Sequence, residues 1–556
     1  MSYLEGMPRR TDLVLIAAGP VLAVSLLAVN AVAGRAVVEA VYDGRTPVDL
    51  LNDIITGQSV YPVDYHLHRA RDLVHRLACL LGAAGPLAAA YVASARRRPD
   101  SSLAQPLVGG MLLSTALLCG LYLLHVPLLK VLPGWFWPLH DKPLPLVWLV
   151  LPLAAGSWYV TRAVTATPER HRRNLLLLIV WGACLQHGFV WLEGDGFAHL
   201  KQRLTDTGHA AFARTAVEQP SIWQVVTRYE ELLATEAPNA YFHATKPPGL
   251  QVFLMGAERL SHALPGEGVD RLANLAAVLF PVLAFACLLP LFGLLRLDTP
   301  DQEDVVAGLL YLFVPSVALI NLHADQYLYP LLGVTCLYLY GRALIQGERV
   351  AAALAGLGYC LSLWFSFVLL ALLPAIPVLA WATGRTSAWP SAARTIGVAA
   401  VGCLAGYQLL LWGTDYDALG RWTQAMAAHE SAKVAQWGVV ERFYYAGLNL
   451  VEFALWCGPP LALLCAADLR RTLSRVATGS RDLEEGLVMS LAAILLGLVV
   501  VGGTAGETAR LWIFLVPLVT ISAARTLRRM APGSLPWVVG LQLVLIVVMK
   551  ARQDFF

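Results

Sequence analysis

Four short groups of polar residues interrupt a chain that is otherwise apolar. Glu193-Gly194-Asp195 comes directly after one apolar run, and Tyr241-Phe242-His243-Ala244-Thr245-Lys246-Pro247-Pro248-Gly249 leads into another. His323-Ala324-Asp325 and Gly506-Glu507-Thr508-Ala509-Arg510 open two more. A carboxylate at a bilayer edge is partly desolvated, which raises its basicity and suits it to general-base work. Glu193 and Asp195 are such carboxylates, and the glycines flanking Asp195 allow a sharp turn. The plain alternative is a solvated helix end.

Lys246 precedes proline and is therefore pushed to an extended conformation. Pro247 and Pro248 stiffen the entry into the next apolar run, so Lys246 and His243 are held near the headgroups. A lysine there binds a lipid phosphate as a point charge; a snorkelling lysine beside a proline hinge is the plain alternative. Glu507 and Arg510 are neighbours at i, i+3 if helical. Charge at the start of an apolar helix is costly unless paired or ligand-bound, so Arg510 either holds a phosphate with Glu507 orienting it or forms a structural ion pair. Asp325, with His323, either caps its helix or contacts a ligand.

The elements that must position these groups are membrane helices. The chain has 556 residues, 57% hydrophobic and 14% charged, with mean hydropathy +0.59. A soluble protein carries roughly 25% charged residues, so a water-soluble globule is excluded. A net charge of +3 gives no reason to expect nucleic acid as a partner. The nine cysteines lie in or beside apolar runs with no CxxC pair, as small buried hydrophobes do. Arg9 and Arg10 precede a run read as a first membrane helix, with no cleavable leader. His66 and His68 share one face of a strand if extended and can then bind metal; an interfacial loop is the other reading.

Apolar length predicts about fifteen spans. They lie near 11–33, 75–95, 107–129, 144–163, 173–192, 270–296, 304–322, 326–345, 350–364, 366–383, 395–412, 443–466, 485–503, 510–525 and 535–550. Trp364-Phe365-Ser366-Phe367 is expected to be a tight turn. With a cytoplasmic N-terminus, the five dense arginine groups fall on the cytoplasmic side. The same count puts 194–247, 321–325, 413–442 and 502–510 outside, so the polar groups gather on one face. Amphipathic stretches such as SIWQVVTRYEELLA are expected on the membrane surface.

The order of these motifs resembles the GT-C superfamily of integral-membrane glycosyltransferases, in particular bacterial members related to protein O-mannosyltransferases and aminoarabinose transferases. EGDGFAHL looks like their first-loop acidic motif and HATKPPG like their H-x-P-P-G or K-P-P segment. The resemblance covers roughly 173–525 and departs from the family pattern at Gly196, where a second acid is common; here Glu193 precedes Asp195 instead. The fold expected is an all-α polytopic membrane protein. A GT-C-like bundle, 166–556, would carry an extracytoplasmic catalytic loop at 194–247, with about four extra N-terminal helices in 1–165.

The resemblance implies a polyprenyl-phosphate sugar donor and a site at the outer surface of the cell inner or plasma membrane. By position, Asp195 matches the catalytic acid residue and Lys246 a donor-phosphate contact. The expected reaction moves the sugar to a hydroxyl of a glycan, lipid or protein acceptor, with inversion. Asp195 and Glu193 are the catalytic candidates; Tyr241, His243, Lys246, His323, Asp325, Glu507 and Arg510 are the substrate-binding candidates. No cofactor is required, although the E-x-D order is similar to the metal-binding acids of oligosaccharyl-transferring relatives and leaves a divalent metal open. A transporter or flippase of a lipid-linked sugar is the rival reading.

Overall fold

The computed structural model describes residues 104–123, 137, 142–206, 210–235, 243–298, 303–383, 389–431, 439–501, 504, 506–530 and 532–553. Contacts divide the chain into two units, Met1–Leu132 and Pro133–Phe556. In the first, one apolar helix, Ala104–Leu123, is described. The expected spans 11–33 and 75–95, His66 and His68 lie outside the described residues.

The second unit is built of helices. Among the described residues, seven are long and apolar enough to cross a bilayer: Val147–Ala166, His171–Trp191, Gly268–Leu295, Ala324–Gln346, Pro390–Thr414, Leu483–Val501 and Leu535–Arg552. A helix suits this setting because each of its backbone polar groups finds its partner within its own segment, as hydrocarbon demands. The chain is thus an all-α, polytopic membrane protein. Exposed apolar residues such as Leu151, Val180, Val278, Leu404 and Val500 mark faces suited to lipid.

Three expected spans are broken. The run 443–466 is two helices, Tyr445–Cys457 and Pro459–Ala477, bent by 113°. Gly458 adopts φ +86°, and Pro459-Pro460 removes two amide donors, so no straight ladder can cross this point. The run 304–322 divides into Glu303–Leu312 and Pro315–Leu319, the second starting on Pro315. The run 510–525 begins as the one-turn helix Thr508–Leu511 and a 3-10 turn before Val516–Met530. Apolar length alone does not register these breaks.

Other local readings agree with the structure. Helix Arg349–Phe365 ends at Ser366, which is extended and caps the 3-10 helix Phe367–Leu372 through its Oγ. Between Trp191 and Gly249 the described segments form short helices, including Ile222–Thr227 and Tyr229–Thr235. In these, Val225, Val226 and Tyr229 are buried while Trp223 faces out.

Candidate functional site

Asp325 is the centre of the best-defined polar cluster. The Leu322 backbone is left-handed at φ +59°, an unfavourable state for a residue with a branched side chain. It turns the chain so that His323 and Asp325 open the helix Ala324–Tyr327. The Asp325 carboxylate is fully buried and meets Lys246 Nζ at 3.4 Å, Arg510 at 3.3 Å and His323 Nδ1 at 2.9 Å. Lys246 also donates to the Tyr329 hydroxyl at 3.0 Å and lies 5.4 Å from that ring's centre. Arg510 pairs with Glu507 and reaches His323 Nε2 at 2.8 Å. Lys246, His323, Asp325, Glu507 and Arg510, from three distant stretches, thus form one cluster.

The protonation pattern is set by geometry. Arg510 can only donate, so His323 Nε2 accepts from it, and a neutral ring then carries its proton on Nδ1, 2.9 Å from the Asp325 carboxylate. The alternative contact from the Asp325 amide to Nδ1 is longer, 3.4 Å, and points at a nitrogen already carrying hydrogen. Burial lowers the His323 pKa to about 4, with Asp325 opposing and Arg510 assisting. His323 is therefore neutral at pH 7. For Lys246, burial favours the neutral amine, but Asp325 and Tyr329 outweigh it, raising the pKa above the ordinary lysine value. The ammonium stays charged.

Each cation arrives on a braced turn. The Lys246 amide bonds to the His243 carbonyl at 3.0 Å. The Tyr229 hydroxyl donates to the carbonyls of His243 and Lys246, both at 3.3 Å. Buried Arg421, from the helix Ala418–His429, donates to the Ala244 carbonyl at 2.7 Å and pairs with Glu230 at 2.7 Å. Gly249 then packs directly on the backbone of Trp364, where a Cβ would collide. On the Arg510 side, Gly506 and Glu507 are both left-handed, at φ +68° and +62°. Asn449 holds that turn, accepting from the Gly506 amide at 3.1 Å and donating to the Thr504 carbonyl at 2.6 Å.

The remaining candidates lie elsewhere. His243 is fully buried against Phe212, ring centres 4.3 Å apart, within the loop helices. Tyr241 lies outside the described residues. Gly194 and Gly196, at φ +97° and +54°, make the expected sharp turn, and its two carboxylates differ. Glu193 is nearly buried and meets His199 at 2.5 Å, Lys142 at 3.5 Å and Lys550 directly. Burial alone would raise its pKa, but His199, Lys550 and Lys142 together hold it well below the usual carboxylate range. An anion so fully bonded is a weaker base than an unbonded carboxylate. Asp195 is exposed and has no side-chain partner among the described residues.

Composition and spacing did not identify Tyr329, Arg421, Lys142, His199 or Lys550. Tyr329 lies four residues after Asp325, a helical spacing that offered a signal. Lys550 closes an apolar run and carries no motif signal. An open apolar groove of about 370 Å³ runs beside the acidic turn, between Leu149, Pro152 and Leu153 on one helix and Cys184, His187 and Trp191 on the next. Among the described residues, no group of three or more His, Cys, Asp or Glu is placed to hold a metal ion. Neither protein-family models nor curated proteins give a match to this chain.

Proposed function

We propose that this protein is a membrane glycosyltransferase. It moves a sugar from a polyprenyl-phosphate donor to a hydroxyl of a cell-envelope glycan, lipid or protein, on the extracytoplasmic face. The observation that carries this reading is the meeting of Lys246 and Arg510 on Asp325. The carboxylate is sealed, whereas the Lys246 and Arg510 side chains keep 15% and 12% exposure. Asp325 holds two cations side by side and leaves part of each for an outside ligand. A phosphate that gains charge as its sugar departs is the ligand such a pair stabilises best.

In this mechanism Asp195, exposed and without a side-chain partner among the described residues, takes the acceptor hydroxyl proton. The acceptor oxygen attacks the anomeric carbon from the face opposite the phosphate. The C–O bond to phosphate breaks with its electron pair passing to the phosphate, and the sugar inverts. Lys246 and Arg510 bind the departing polyprenyl phosphate; neutral His323 and Asp325 hold their geometry. The apolar groove between the first two spans of the second unit suits an isoprenoid chain. No metal takes part in any step of this reading.

Broken helices favour a second reading, a flippase of a lipid-linked sugar. Transporters place ionic groups at half-helix ends, and Asp325 opens a helix just after the broken 303–319 segment. Purified protein incubated with a polyprenyl-phosphate sugar and a hydroxyl acceptor decides between them. Release of polyprenyl phosphate, seen by mass spectrometry, supports transfer. Binding with the donor intact, and movement across reconstituted vesicles, would instead support transport.

A further inference from the structure

Glu452 is a fully buried carboxylate with no part in the proposed transfer step. It lies on the helix Val439–Cys457, three residues after Asn449. Its Oε1 accepts from the Ala509 amide at 3.3 Å and from Trp137 Nε1 at 2.8 Å. Ala509 immediately precedes Arg510, so Glu452 grips the Arg510 turn one residue from its charge. Asn449 grips the same turn at Gly506 and Thr504. Two left-handed residues in the turn make these bonds matter, because the local backbone by itself prefers other conformations.

The other partner of Glu452 comes from far away in sequence. Trp137 is buried, and its ring packs on Trp456, centres 5.3 Å apart, one helical turn beyond Glu452. The Trp137 carbonyl accepts from Gln553 at 3.5 Å. Lys142 bonds through its amide to the Ala551 carbonyl at 3.0 Å and through its ammonium to Glu193. The Leu146 amide reaches the Leu192 carbonyl at 3.4 Å, beside Glu193. Trp137 therefore reaches the Arg510 turn through Glu452, and Lys142 and Leu146 touch the Glu193–Asp195 turn directly or beside it.

We infer that Glu452 is a positioning residue for Arg510, and that Trp137 and Lys142 tie the acidic turn to the same support. This rests on the reading of Arg510 as a phosphate ligand. The support lies partly outside 173–525, so the working site includes residues that the sequence resemblance did not reach.

The test uses the full-length protein in detergent, with a polyprenyl phosphate as probe. Two readouts are taken: its Kd, and deuterium uptake of the peptide spanning 506–511. Glu452→Ala is expected to weaken binding about tenfold, the scale of a lost buried hydrogen bond, and to speed exchange at 506–511. Glu452→Gln keeps an oxygen that accepts from Ala509 and Trp137, and should restore both. A folded Glu452→Ala with wild-type Kd and wild-type exchange overturns the proposal. If Glu452→Ala does not fold, Trp137→Phe decides. It keeps an aromatic ring, smaller than the indole, and removes the donor, so faster exchange at 506–511 supports the brace and unchanged exchange overturns it. Should the wild-type protein fail to bind polyprenyl phosphate, the phosphate reading fails, and the exchange comparison still judges the brace.

Discussion

Two buried ionic clusters stand at the two ends of one stretch of chain, and they are built differently. Arg510 belongs to one and Arg525 to the other. Arg525 is fully buried and meets Asp468 at 3.2 Å, Glu484 at 3.0 Å and Glu485 at 3.3 Å. Arg529 adds a bond to Glu484 at 3.2 Å, and Arg475 one to Glu485 at 3.1 Å. All of these residues sit on regular helices or at their ends. The Asp325 cluster is built on left-handed residues, broken helices and loops, and this irregular backbone, not exposure, separates the two, since Arg529 and Arg475 are more exposed than Lys246 and Arg510. A cluster that only joins helices can be unstrained. Strained, irregular backbone of the kind around Asp325 clusters at functional sites.

This contrast can be tested by breaking each side. Asp195→Asn should give the largest catalytic loss, about 10²–10⁴-fold in transfer rate with the donor still bound, as removal of a general base does. Near wild-type turnover by folded Asp195→Asn would show that the base is elsewhere. Lys246→Met should cost about 10²–10³-fold in kcat, the scale of one lost charge-stabilising contact in the transition state. A rise in KM alone would mean that Lys246 only binds substrate.

At the other cluster, Arg525→Met leaves three buried acids without their central partner. A loss of about 3–5 kcal/mol of stability is expected, measured as a lower Tm, with turnover per folded molecule unchanged. A selective loss of turnover at constant Tm would erase the distinction between the two clusters.

The pH response is smaller. The His323 pKa falls from its ordinary value of 6.5 to about 4 in the folded protein. The unfolded chain therefore binds the proton first as pH falls from about 6.5 to about 4, and stability drops through that window, then levels off below it. His323→Gln should flatten this part of a Tm-against-pH curve; an unchanged curve would mean that His323 is not neutral in the fold. The smallest effect on chemistry is expected from Glu193→Gln, which removes an anion already bonded to three partners. A transfer loss equal to that of Asp195→Asn would reverse the roles assigned to the two acids.

Much was legible in the residues. Apolar run length located helices near 173–192, 270–296 and 535–550, because crossing a bilayer sets a minimum length. Glycine on each side of Asp195 announced the turn, and the motif residues Lys246, His323, Asp325, Glu507 and Arg510 were recognisable as polar groups at helix ends. Gly458-Pro459-Pro460 carried a break signal that hydropathy averaging concealed.

Sequence by itself determined that this chain is a helical membrane protein, and it picked out the charged residues that such a chain carries at a cost. Composition and run length are local properties, and a bilayer imposes its demands locally. Tertiary structure alone decided which charge meets which. It placed Lys246 and Arg510 on Asp325, surrounded Glu193 with Lys142, His199 and Lys550, and left Asp195 exposed. Those pairings join residues that are mostly far apart in the chain, and Coulomb attraction depends on distance in space, which packing sets and spacing along the chain does not record.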